Sequence, residues 1–116
     1  MAKLSLVLVQ APGLPNGDLE DRLTLRLALT PQGRLDAGAY EAAPAPWVAM
    51  RERAGRTARR SEVIRLDGGW ALQGLGHEED PLWALEGLVF RPGELVRLRR
   101  PDGTDLLFRI VQVERD

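Results

Sequence analysis

The chain contains no cysteine, which excludes disulfide scaffolds, thiol nucleophiles and thiolate metal cages together. Histidine occurs once, at His77, and serine twice, at Ser5 and Ser61. Neither serine stands in the sharp glycine-flanked turn that exposes a hydrolase nucleophile. Lysine is just as scarce: Lys3 is the single lysine among 16 basic residues, all the others being arginine. No apolar run approaches the ~20 residues that a membrane-crossing helix needs. The apolar N-terminus has neither a basic leader nor a small-residue cleavage site. These gaps make a cytoplasmic protein with a single domain over residues 1–116 the expectation. A chain of that length buries about two thirds of the surface its unfolded form exposes, enough for one core. The formal net charge of -1 provides no bulk attraction to nucleic acid.

What the chain does contain is a succession of short β patterns. Leu4, Leu6 and Leu8 alternate with Ser5, Val7 and Val9, and the breaker-rich residues 11–18 follow. Over residues 22–30, Leu23, Leu25, Leu27 and Leu29 share one side. Four leucines at spacing two would scatter around a helix, so the segment reads as a strand with one wet face. Pro31-Gln32-Gly33-Arg34 turns the chain. Residues 35–43 read as the one short helix, with Asp36 as N-cap and Pro44 and Pro46 barring its continuation. Residues 47–53 and 62–66 are strands around a turn at Gly55, and Asp67-Gly68-Gly69 leads into a further strand at 70–73. Residues 74–80 read as a polar loop and residues 82–85 fit no single template.

Residues 91–114 form one complete hairpin in this reading. Pro92-Gly93 opens it, Val96 and Leu98 face one way, and Leu95, Arg97 and Arg99 face the other. Pro101-Asp102-Gly103 supplies the reversal. On the returning strand Leu106, Phe108 and Ile110 share one face, and Leu107, Arg109, Val111 and Val113 share the opposite one. Two largely apolar faces suggest a strand inside a sheet. The whole predicts a mainly β, antiparallel fold, either a partly closed barrel or a two-layer sandwich, with one short helix.

The pattern carries little catalytic chemistry. Paired carboxylates can hydrolyse bonds from any positions that meet in space, and Glu20, Asp21, Glu78, Glu79 and Asp80 qualify only in that general sense. His77-Glu78-Glu79-Asp80 offers metal donors, but consecutive residues do not converge on a tetrahedral zinc, and no second histidine is present. Gly68-Gly69 and Gly74-Leu75-Gly76 lack the strand-to-helix setting and the lysine of a phosphate loop. No catalytic, cofactor or metal residue is therefore assigned.

The densest charge lies between Arg51 and Arg65, where six arginines face two glutamates. Arg97, Arg99, Arg100 and Arg109 would add to it if the hairpins lie side by side. Arg56, Arg59, Arg60 and Arg65 are the candidate contacts for nucleic acid or another anion, with Trp47 and Trp70 as stacking platforms. The competing reading has both tryptophans filling the core and the acidic loops neutralising the arginines. A second route to a partner is strand addition, should residues 22–30 or the C-terminal strand lie at a sheet edge. Leu88-Val89-Phe90 and the region of Trp83 would be apolar contacts if exposed.

Lys3-Leu4-Ser5-Leu6 with Gly17-Asp18, the turn and helix start at residues 29–36, and residues 92–96 with Asp102-Gly103 and residues 108–111 resemble landmarks of a family of small uncharacterised α-proteobacterial proteins. That resemblance implies a bacterial origin and no activity. Residues 60–111 also resemble the second half of forkhead-associated phosphopeptide domains, without their serine-histidine pair and with Glu78-Glu79 in place of an asparagine-glycine. The expectation is a non-catalytic protein-interaction or assembly module, pairing with another protein or with itself. Weak binding of RNA or single-stranded nucleic acid by the arginines is the alternative.

Overall fold

Strict alternation of leucine with polar residues gives each early strand one apolar side, and a ring of such strands can hide all those sides at once. The computed structural model, which describes residues 1–43, 45–74 and 82–116, shows that solution. The strands are β1 (Ala2–Gln10), β2 (Asp18–Leu27), β3 (Trp47–Glu52), β4 (Arg59–Leu66), β5 (Gly69–Gln73), β6 (Leu82–Glu86), β7 (Leu95–Arg99) and β8 (Asp105–Arg115). Each pairs antiparallel with the next, and β8 returns to β1 to close the barrel. The helix α1 (Ala37–Ala42) lies between β2 and β3.

The barrel alternative holds and the sandwich does not, with closure complete rather than partial. All eight strands have a neighbour on both sides, so neither β2 nor β8 is an edge strand, although β3 covers β2 only from Arg22 and β7 covers β8 only as far as Arg109. The condition set for strand addition, a whole strand at a sheet edge, is therefore not met by β2 or β8. No helix among the described residues is long and apolar enough to cross a membrane.

The interior is filled by the expected faces. Leu4, Leu6, Leu8, Leu23, Leu25, Leu27, Val96, Leu98, Leu106, Phe108 and Ile110 are all buried. An eight-stranded barrel is just wide enough for such side chains to meet at its axis. Leu29 lies beyond the end of β2, in an isolated bridge with Leu35. That bridge makes Leu35 extended, so the helix starts after Asp36, whose carboxylate accepts from the Ala39 N–H at 3.0 Å. Residues 82–85, ambiguous as a pattern, form most of β6, with Trp83 and Leu85 inward.

One face of β8 differs from its simple alternation. Between Ile110 and Gln112 the register against β1 slips by one residue at Val111. Val111 and Gln112 are both exposed, and Val113 is turned inward to pack on the core beside Leu4. A bulge re-aims every later side chain in this way. Phe90 is likewise buried rather than exposed, while Leu88 is fully in solvent.

Gly17 marks the tightest backbone approach. Its φ is +73°, and a Cβ there would overlap the Leu8 carbonyl oxygen and lie 2.6 Å from Val9 Cα. The obstacle is main chain and has no rotamer to yield. Gly17→Ala is expected to destabilise the fold by about 2 kcal/mol, from left-handed strain plus displacement of β1. Urea unfolding at unchanged slope is the check, and Gly13→Ala, with open space at that site, should lack the second contribution.

An arginine-lined end of the barrel

The inward positions are apolar along most of each strand, and at one end they change character. In β3 the sequence of inward residues is Trp47, Ala49, Arg51; in β2 it ends at Asp21. In β4, Arg59 shares the alternation of buried Ser61 and Val63. Trp83 opens β6 on the same side, and Arg100 follows β7 in the alternation of Val96 and Leu98. Because neighbouring strands run in opposite directions, the end of β3 and the starts of β2 and β4 come together, as the pairings Leu23 with Arg51 and Arg51 with Arg59 show.

The fixed point of this end is a buried ion pair. Arg51 Nε donates to Asp21 Oδ1 at 3.0 Å and its terminal nitrogen to Oδ2 at 2.7 Å. Both side chains are about 95% removed from solvent. The fork-to-fork geometry satisfies the carboxylate and leaves Arg51 with a rigid orientation. Its guanidinium also lies 5.7 Å from the centre of the Trp83 ring, and that of Arg100 lies 5.4 Å from the same ring. The Arg100 Nε is buried and has no hydrogen-bond partner among the described residues.

Arg53 and Arg56 extend the cluster. Burial holds the Arg53 guanidinium below its ordinary pKa, and the charges of Arg51, Arg56 and Arg100 push in the same direction while that of Asp21 pulls against them. Among the described residues, like charges therefore add to the effect of burial on Arg53. Asp102, in the turn between β7 and β8, acts on Arg100 but is occupied by the Thr104 N–H at 2.9 Å and hydroxyl at 2.7 Å.

The four arginines singled out from the sequence divide between locations. Arg56 and Arg59 belong to the arginine-lined end. Arg60 points outward opposite Met50. Arg65 is six residues further along β4 than Arg59, about 20 Å away at the rise of a strand, and sits over Trp70 at 5.7 Å. Trp47 and Trp70 fill the opposite end: their rings stack at 5.4 Å, and Tyr40 of α1 meets both edge-on at 5.1 and 5.3 Å. Trp47 is buried, so it is no stacking platform. Arg51, Arg53, Arg100 and Trp83 were not assigned from the sequence as site residues. The alternation Trp47, Ala49, Arg51, Arg53 could have found the first two, whereas Trp83 and Arg100 reach the site only through barrel closure. Ser61 donates to the Gln73 carbonyl at 2.7 Å, a structural use of its hydroxyl. The His77 to Asp80 segment considered for a metal lies outside the described residues.

On the outer wall a second set of charges is self-contained. Arg99 Nε donates to Asp105 at 2.9 Å, and Arg97 reaches both Glu86 and Asp105 at 3.7 and 3.8 Å. These side chains are half-exposed, where such pairs add little stability. The Arg99 hydrogen bond holds Asp105 below its ordinary value of 3.8, and the Thr104 N–H does the same for Asp102. With folded-state values below the unfolded ones, both acids favour the fold above the ordinary carboxylate range. That contribution disappears as pH falls through their lower, folded-state values. NMR titration of the side-chain carboxyls should give both midpoints below 3.8, and an ordinary midpoint for Asp105 would mean the pair with Arg99 does not form in solution.

Comparison of the chain with protein-family models, with curated proteins and with solved structures gives no match in any of the three, so the site stands on its own geometry.

Proposed function

We propose that the protein is a non-catalytic interaction module that holds an acidic segment of a partner protein at the arginine-lined end of its barrel. The unequal dressing of the two barrel ends carries this reading. One end is plugged by Tyr40, Trp47 and Trp70, while the other gathers Arg51, Arg53, Arg56 and Arg100 around Asp21. Positive potential at one pole of a nearly neutral molecule orients an anionic partner and speeds its arrival. Asp21 is committed to Arg51 and Asp102 to Thr104, so neither of these two acids is poised for proton transfer. The module is taken to be bacterial, as the resemblance of its landmarks implies, and cytoplasmic.

Nucleic acid is the second reading, favoured by the placement of Arg56 and Arg59 at the same end. Burial of Trp47 and of Trp83 weighs against it, because single-strand binders need exposed aromatic faces. The discriminating experiment titrates a fluorescent glutamate-rich peptide and a single-stranded RNA of equal charge into the protein. The expected result is peptide binding that weakens with salt and is lost in Arg53→Ala with Arg56→Ala, but survives Arg60→Ala with Arg65→Ala. Tighter binding of the RNA, dependent on Arg56 and Arg59, would establish the second reading, and binding of neither would remove both.

A further inference from the structure

We infer that Arg53, Arg56 and Arg100, backed by Arg51, form a discrete site for a compact oxyanion of more than one negative charge, of sulfate or phosphate size. The inference rests on the proposed reading only for the location of the site.

Three observations converge on it. The Arg100 Nε is buried without an acceptor, and a buried donor left unpaired in a native protein calls for an ion or a water. Arg51 is locked by two hydrogen bonds to Asp21, so one wall of positive charge is already in position before an anion arrives. The charges of Arg51, Arg56 and Arg100 all oppose that of Arg53, and among the described residues Asp21 is the acid that counters them. An anion seated among them would turn mutual repulsion into attraction, and a divalent one would offset two guanidinium charges at once. Guanidinium forks match the paired oxygens of such ions. The shape of the site favours the ion itself over an attached ring, because Trp83 is buried with the guanidinium groups of Arg51 and Arg100 close to its ring.

Trp83 also supplies a local reporter, since Trp47 and Trp70 are at the opposite end. Fluorine NMR of protein carrying fluorotryptophan, titrated with sodium sulfate against sodium chloride at matched ionic strength, separates site binding from the general stabilising action of sulfate. The Trp83 resonance, assigned by Trp83→Phe, should shift saturably with sulfate alone while the other two stay in place. Arg100→Ala should weaken that binding about tenfold, the loss of one charge-assisted contact, and Arg109→Ala, on the outer wall, should leave it unchanged. Should Arg100→Ala fail to fold, Arg53→Gln must show the same weakening. The site is disproved by a linear response, by equal shifts of all three resonances, or by equal weakening in Arg109→Ala. Sulfate binding without peptide binding would retain the site and remove the proposed partner; peptide binding without sulfate binding would do the reverse.

Discussion

Replacing Asp21 with alanine is expected to destabilise the protein by about 4 kcal/mol, because it strands a guanidinium in the barrel wall. Arg51 is 5% exposed and gives two hydrogen bonds to that carboxylate. Its contact with Trp83, at 5.7 Å from the ring centre, recovers a small part of the loss. Arg51→Ala should be damaging on the same scale, since it leaves a buried carboxylate instead. The informative variant is the double replacement Asp21→Leu with Arg51→Met. Two apolar side chains of similar bulk remove both desolvation penalties, so the double variant should lie within about 1 kcal/mol of the parent or above it. Urea unfolding of the four proteins completes the cycle. Additive losses would show that the two side chains do not depend on one another in solution. The ion pair is then retained for something other than stability, and fixing one wall of an anion site is the use proposed above. Sulfate should accordingly raise the Tm of Asp21→Ala more than that of the parent, since the freed Arg51 has no other carboxylate partner among the described residues.

Trp47→Ala is expected to cost about 4 kcal/mol as well, by the separate mechanism of a cavity at the plugged end. Trp47 is 1% exposed and lies against Trp70 and Tyr40. The consequence reaches beyond the cavity. The helix α1 has six residues and no buried one, far too short to persist without tertiary support. Its ties are the Asp36 cap and the edge-on seat of Tyr40 between the two tryptophans. Amide hydrogens of α1 should therefore lose protection in Trp47→Ala well before the barrel strands do, as hydrogen exchange would report. Leu106→Ala, an equally buried change beside Leu98 toward the arginine-lined end, should lower stability while keeping α1 protected relative to the strands. Loss of protection in α1 in both variants alike would mean that the helix simply follows global unfolding.

Periodicity carried the fold a long way because it is a local property. Leu23, Leu25 and Leu27 face inward as their spacing requires, Val96 and Leu98 do the same, and Asp36 caps the helix. The failures have a common cause in long-range pairing. Val113 faces inward because β1 and β8 slip against each other at Val111, an event that β8 alone does not encode. Choosing between barrel and sandwich required knowing that β8 meets β1, the one junction between strands distant in the chain. The site was less legible still. Arg59 and Arg65 are close in sequence and belong to opposite ends of one strand, whereas Arg51 and Arg100 are far apart in sequence and share one indole. Counting arginines in a window measures neither relation.

Closure also has a dimension in time. Seven of the eight pairings join strands consecutive in the chain, and contacts of that kind form early because the loops they close are short. The seam between β1 and β8 is different in kind, bringing Met1 beside Asp116 with a backbone hydrogen bond of 3.1 Å. Until it forms, the nascent ring carries two raw edges with complementary sequences, and two unfinished rings can satisfy each other as readily as themselves. In the finished molecule each strand already has both of its neighbours. The interval before closure is when concentration decides between a monomer and an intertwined pair.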